Sequence, residues 1–169
     1  MNKITVVIPT LNEFESLDVL LKEIHDIKFK EVIEEIIVVD ANSTDGTLDV
    51  AKKYKCKIIN QNNKVGYGSA IVEGIKNTKS YFAVILDGDG SKNPSYIIDL
   101  YNAIQKNNCD FIFASRYGKD CGSLDDTLLT FIGNRIFTLL GKIFFNVKIN
   151  DILHTFFICK TESFNAINF

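Results

Sequence analysis

Short apolar runs alternate with helically spaced apolar positions over the first two thirds of the chain. Residues 4–8 (Ile-Thr-Val-Val-Ile) read as a buried strand. Leu17, Leu20, Leu21, Ile24 and Ile27 then recur at helical spacing, with Asn12 as the expected N-cap and Glu15 three residues on. Residues 36–39 predict a second strand, 47–54 a short helix entered through Ser43-Thr44-Asp45-Gly46, and 56–60 a weaker third strand. A helix over 69–77, a strand over 81–86, a helix from Asn93-Pro94 to Gln105 and a strand over 110–115 complete the series.

Strands apolar on both faces and separated by helices imply βαβ units. Right-handed crossovers then give an α/β fold with a single, doubly wound, mainly parallel sheet. No linker, repeat or low-complexity tract interrupts the pattern, so one domain over 1–169 is expected. The pattern changes after Tyr117. A polar loop over 118–126 leads to an apolar helix over 127–146, a short segment over 148–151 and a final strand over 155–160. Residues 161–169 start a helix that the sequence does not finish, which suggests an incomplete C-terminal end.

Composition narrows the function classes. Hydrophobic residues make up 46% and charged residues 24% of 169, close to the globular average. Nineteen basic against 21 acidic residues give a net charge of −2, which argues against a protein that grips nucleic acid. No uninterrupted apolar run reaches the ~18 residues of a membrane span, and the start lacks a signal-peptide pattern. Cys56, Cys109, Cys121 and Cys159 form no CxxC pair, so they read as small buried hydrophobes in a reducing cytoplasm.

In an open parallel sheet, ligands bind beyond the carboxyl ends of the strands. Strand one delivers Pro9, Thr10, Asn12 and Glu13 to that rim; strand two delivers Asp40. Strand four delivers Asp87-Gly88-Asp89-Gly90-Ser91, and strand five Arg116. Asp87 and Asp89 can share a hard cation, Mg²⁺ or Mn²⁺, bridged to a diphosphate; an acidic turn bent by Gly88 and Gly90 is the competing reading. Asp40 can accept hydrogen bonds from a ribose or base, or can cap the following turn through Asn42 and Ser43. Lys64, with Gly66 and Gly68, can hold phosphate oxygens at a helix N-terminus.

These segments together resemble family 2 glycosyltransferases of the GT-A fold, and within them the dolichyl- and polyprenyl-phosphate sugar transferases. The match runs in order through Val6–Glu13, Val38–Thr47, Lys64–Ala70, Leu86–Ser91 with Pro94, Ala114–Tyr117, and Gly133-Asn134-Arg135 leading to Asp151. The resemblance implies that Pro9, Thr10, Asn12, Glu13 and Asp40 line the nucleotide pocket of a sugar donor. It makes Asp87 and Asp89 a D-x-D pair holding Mg²⁺ or Mn²⁺ on the donor diphosphate. Arg116 and Arg135 would face phosphate groups, and Asp151 would stand close to the acceptor. The implied chemistry is an inverting displacement at the anomeric carbon of a UDP- or GDP-sugar, with a polyprenyl phosphate as acceptor. A lipid phosphate is mostly anionic at neutral pH, so Asp151 would orient it; toward a hydroxyl acceptor Asp151 would be the base.

Three positions depart from the family pattern. Asp40 is followed by Ala41 instead of a second acid, Thr155-Phe156-Phe157 stands where relatives carry Gly-Phe-Arg, and relatives continue into further helices. A non-catalytic nucleotide-sugar binder, or an inactive truncated transferase, is the main alternative. Residues 85–91 also resemble the first motif of haloacid-dehalogenase-type phosphatases, with no later acidic motif to complete it. The apolar helix over 127–146 reads first as a core or homo-oligomer interface, and second as peripheral contact at the cytoplasmic face of a membrane.

Overall fold

The computed structural model describes residues 2–27, 29–61, 66–117, 128–147 and 149–167. They fall into two compact units: Met1–Ile112 with Phe156–Phe169, and Phe113–Thr155. The first unit carries β1 (Ile4–Thr10), α1 (Phe14–Asp26), β2 (Ile33–Asp40), α2 (Thr47–Lys53), β3 (Lys57–Asn60) and α3 (Tyr67–Lys76). β4 (Phe82–Ile85), α4 (Ile97–Asn107), β5 (Phe111–Phe113), α5 (Leu128–Phe145), β6 (Phe157–Lys160) and α6 (Thr161–Asn165) follow, with α5 in the second unit.

The sheet has six strands in the order β3-β2-β1-β4-β6-β5. β1 pairs in parallel with β2 and β4, and β2 with β3. β6 runs antiparallel to β4, with Val84 opposite Ile158, and slots between β4 and β5. The mainly parallel α/β sheet is therefore as expected, while the position of β6 required the three-dimensional structure. Strand and helix ends shift by a few residues: β2 starts at Ile33, and β5 spans only three residues. Asn93 does cap, its side chain accepting from the Ser95 amide at 2.8 Å, but it opens a 3₁₀ turn (Pro94–Tyr96) before α4.

The period-2 geometry of the strands explains why they read as continuous apolar runs. Val7, Val39, Ala83 and Ile85 pack on one face with Ala70 and Ile75 of α3 and Phe164 of α6. Val6, Ile8, Val38 and Val84, of opposite parity, are just as buried. Gly74 lets α3 approach the sheet: a Cβ there would lie 2.2 Å from Val7 Cγ1. Among the described cysteines only Cys159 is buried; Cys56 and Cys109 are half-buried, which corrects the expectation for those two, and Cys121 lies outside the described residues.

In the second unit α5 is inverted. Its buried seam is Asn134, Thr138 and Gly141, while Ile143, Phe144 and Phe145 are exposed. The seam meets the segment that follows it. The Ile152 amide donates to Thr138 Oγ1 at 3.2 Å and the Leu153 amide to Asn134 Oδ1 at 3.3 Å. Gly141 leaves room for Ile152, whose Cδ1 would lie 2.7 Å from an added Cβ. A core role for the whole helix is thus not what its described side chains show. No helix of the described residues is long and apolar enough to cross a membrane.

Candidate functional site

Two loops at the carboxyl ends of β1 and β2 interlock. Asn12 donates its amide to Ser43 Oγ at 2.8 Å and accepts from the Thr44 amide at 2.9 Å. The Glu13 amide donates to Thr47 Oγ1 at 2.8 Å, and the Phe14 amide to Asp45 Oδ2 at 3.1 Å. Three successive amides at the entrance to α1 are therefore satisfied from across the chain instead of by a local cap. Asn12 itself takes a positive φ of 56°, and Glu13 holds the N-cap position without capping a helix amide, its carboxylate accepting instead from Ser16 Oγ at 2.8 Å. The expected Asn12 cap is corrected accordingly: cross-loop bonds replace it. The Thr47 hydroxyl bonded to Asp45, chief among its donors, keeps that carboxyl below its usual pKa.

Asp40 is the anchor of this arrangement. It is fully buried; Oδ1 accepts from Thr10 Oγ1 at 3.1 Å and from Ser43 Oγ at 2.5 Å, and Oδ2 from the Ser43 amide at 2.8 Å. The carboxylate thus fastens the turn through Ser43. The two loops frame a cleft of about 300 Å³ in the first unit, lined by Pro9, Thr10, Glu13, Asp87 and Asp89 among others. Asn12 and Asp40 do not line it; they hold the loops that do.

Asp87 stands two residues past the end of β4 and enters a turn whose middle, Gly88, sits against β1. A Cβ at Gly88 would meet Thr10 Cγ2 at 2.8 Å and the Pro9 carbonyl oxygen at 3.1 Å. This close approach sets Asp87 and Asp89 beside the end of β1. Asp87 Oδ1 accepts from the Tyr67 hydroxyl, and Oδ2 pairs with the Lys92 ammonium. Asp89 is exposed, its Oδ1 accepting from the Ser91 amide at 2.9 Å. Gln61, which also lines the cleft, is buried and clamps Gly66 at the start of α3 by bonds of 3.3 and 3.4 Å.

No group of three or more His, Cys, Asp or Glu side chains among the described residues could hold a metal ion. The carboxylates of Asp87 and Asp89 nevertheless fit the implied Mg²⁺ or Mn²⁺. Their donors are all hard oxygens, and Mg²⁺ usually takes one or two carboxylates and completes its shell with water and phosphate oxygens.

The second unit holds Asp151, Arg116 and Arg135. Asp151 is buried, with four donors: Arg116 Nη2 at 2.9 Å and Asn134 Nδ2 at 2.6 Å on Oδ1, Arg116 Nε and the Arg116 amide, both at 3.0 Å, on Oδ2. Four donors fill a carboxylate's four acceptor lobes. Burial pushes the Asp151 carboxyl up, but the bonds from Arg116 and Asn134 outweigh it and hold the pKa below the usual carboxylate value. Arg135 lies over the rings of Tyr117 and Phe131, 5.2 and 5.3 Å from their centroids.

Of the residues singled out in the sequence, Pro9, Thr10, Glu13, Asp87 and Asp89 share the cleft, and Arg116 meets Asp151. Lys64 lies outside the described residues. Tyr67, Lys92, Gln61 and the buried Asn134 were missed. Lys92 stood five residues beyond Asp87 and Tyr67 inside Gly66-Tyr67-Gly68, but only the fold turns both toward one carboxylate.

The chain matches the model of glycosyl transferase family 2 over residues 5–167. It is 37% identical over 121 residues to a dolichol-phosphate mannosyltransferase of Pyrococcus furiosus, covering 69% of this chain and 34% of that relative. Mannosyl-3-phosphoglycerate synthase from Rubrobacter xylanophilus superposes with a TM-score of 0.79 at 20% identity, over 98% of this chain and 55% of that one. Glucosyl-3-phosphoglycerate synthase from Mycobacterium tuberculosis, solved with Mn²⁺, uridine diphosphate and glucosyl-3-phosphoglycerate, gives 0.70 at 18%, over 95% and 57%. The chain thus spans about a third of the length of that curated relative. Its sheet is that of the GT-A glycosyltransferases. With the family model matching almost its entire length, the chain belongs to glycosyl transferase family 2.

Proposed function

We propose that this chain carries the donor site of an inverting glycosyltransferase that moves a sugar from a UDP- or GDP-sugar to a polyprenyl phosphate. The observation that carries the reading is the Asp87–Asp89 pair in a cleft beyond the carboxyl ends of β1 and β4. Pro9, Thr10 and Glu13 form the wall for the nucleoside, with Asp40 holding Thr10 and the neighbouring turn in place. Asp87 and Asp89 hold the divalent cation, Mg²⁺ or Mn²⁺, which when bound supplies charge neutralisation for the departing nucleoside diphosphate. The acceptor oxygen attacks the anomeric carbon from the face opposite the diphosphate, whose bond to that carbon breaks as the new one forms.

The saturation of Asp151 supports an acceptor that arrives already anionic. With every acceptor lobe filled and its pKa lowered, Asp151 is a poor base and a good orienter of Arg116. A phosphate monoester needs no base at neutral pH, its second pKa being about 6. Arg116 and Arg135 supply cations for phosphate, and the exposed apolar positions of α5 suit contact with the membrane surface that holds a lipid-linked acceptor. We propose the cytoplasmic face of that membrane as the place of the reaction.

The test is a thermal-shift screen of UDP- and GDP-sugars with and without Mn²⁺, followed by transfer of radiolabelled sugar to polyprenyl phosphate. Metal-dependent stabilisation by one nucleotide sugar, lost in Asp89→Ala, is the expected result. Absence of any nucleotide-sugar response overturns the proposal, and binding without transfer reduces it to a donor-binding unit.

A further inference from the structure

Lys92 is unaccounted for by the transfer reaction, yet its ammonium pairs with one oxygen of Asp87. Its side chain is only 11% exposed and that of Asp87 only 16%, so the ion pair is largely withdrawn from water. One oxygen of Asp87 accepts from the Tyr67 hydroxyl and the other meets the Lys92 ammonium. Asp89, by contrast, is open to solvent. Lys92 therefore offsets one of the pair's two negative charges, and one oxygen of Asp87 is covered by an ammonium.

We propose that Lys92 is the resident counter-ion of the Asp87–Asp89 pair, which a divalent cation must displace from Asp87 to bind. The inference rests on the reading of this pair as the cation site. Lys92 thereby keeps affinity for a free cation low, so that the cation is taken up with the diphosphate that completes its ligand shell. Even in water-like dielectric, where the interaction is weakest, a single positive charge about 6 Å from a divalent ion corresponds to about a tenfold change in affinity. Lys92 acts through Asp87 and is a positioning residue.

The test is titration of the full chain with Mn²⁺ alone, free cation being read by electron paramagnetic resonance. Lys92→Met, close in shape but without charge or donor, is expected to bind Mn²⁺ about tenfold more tightly than the unchanged chain. Lys92→Arg should show no gain, and Asp89→Asn added to Lys92→Met should abolish it. Circular dichroism checks that each variant is folded, with Lys92→Gln taking the place of Lys92→Met if that variant is not. Equal or weaker Mn²⁺ binding in the folded neutral variant overturns the proposal. So does a gain that survives Asp89→Asn, or a lack of Mn²⁺ binding in every chain. Nucleotide-sugar binding, measured separately by calorimetry, decides the transferase reading: its failure leaves the Mn²⁺ series intact, and a flat Mn²⁺ series leaves a positive nucleotide result standing.

Discussion

Arg116 grips Asp151 through a two-pronged ion pair, Nε on one carboxylate oxygen at 3.0 Å and Nη2 on the other at 2.9 Å. The Arg116 amide and Asn134 complete the set, so the carboxylate is a fastened anion. Asparagine in its place keeps one acceptor oxygen but sets an NH2 group against the donors on the other side and leaves the guanidinium without its counter-charge. Asp151→Asn should lower stability by about 3–5 kcal/mol, the cost typical of breaking a buried pair, measured by urea unfolding at pH 7.

Acid should reveal the same pair. The folded pKa of Asp151 lies below its ordinary value, so its contribution is fully present above the unfolded pKa near ~3.9. It is lost as pH falls through the lower folded value. The stability difference between the unchanged chain and Asp151→Asn should therefore shrink below about pH 4, as read from unfolding curves across a pH series. A difference that stays constant to pH 2 would contradict the assignment.

Asp40→Ala removes the acceptor for Thr10, Ser43 Oγ and the Ser43 amide at a fully buried position. A loss of about 1–3 kcal/mol is expected from the unpaired donors. The loop over residues 41–46 should also exchange its amide hydrogens faster, which hydrogen-exchange mass spectrometry would detect.

Gly88→Ala pushes a methyl group toward Thr10 and the Pro9 carbonyl. The backbone oxygen cannot give way as a flexible side chain would, so overpacking should cost about 1–3 kcal/mol. Because the clash moves the turn carrying Asp87 and Asp89, nucleotide-dependent thermal stabilisation should fall with it.

Asp89→Asn separates binding from folding. Asp89 is exposed and accepts from the nearby Ser91 amide, a bond that an Asn oxygen can still accept. Stability should change by no more than about 0.5 kcal/mol. Stabilisation by Mn²⁺ plus nucleotide sugar should disappear in the same thermal-shift assay.

For α5, exchanging Phe144 and Phe145 together for Ser alters two strongly exposed side chains. Cosedimentation with phospholipid vesicles should drop while the melting temperature is retained. Unchanged sedimentation would remove membrane contact from the proposal.

Much of the first unit was legible because a doubly covered parallel sheet needs strands such as Ile4–Thr10, whose residues are all buried. The rim chemistry was legible for the same reason: a residue just past a strand, such as Asp87, has only one end of the sheet to occupy. Helix caps were less so. Asn12 carries a capping side chain, but its partner is Thr44, 32 residues away, and no local pattern encodes that bond. In α5 the apolar count pointed to a core or an oligomer interface, whereas shape and hydrogen bonding selected Asn134, Thr138 and Gly141 as the inward seam.

The order of hydrophobic and polar positions alone determined the α/β class, the parallel strands β1 to β4 and the delivery of Asp87 and Asp89 to one rim, because periodicity and strand ends are local properties. Tertiary structure decided what required distant segments to meet. It inserted β6 antiparallel beside β4 and filled every acceptor lobe of Asp151. It also brought Tyr67 and Lys92 onto opposite oxygens of Asp87. Each of these depends on which distant segments meet in space, and no spacing along the chain records that.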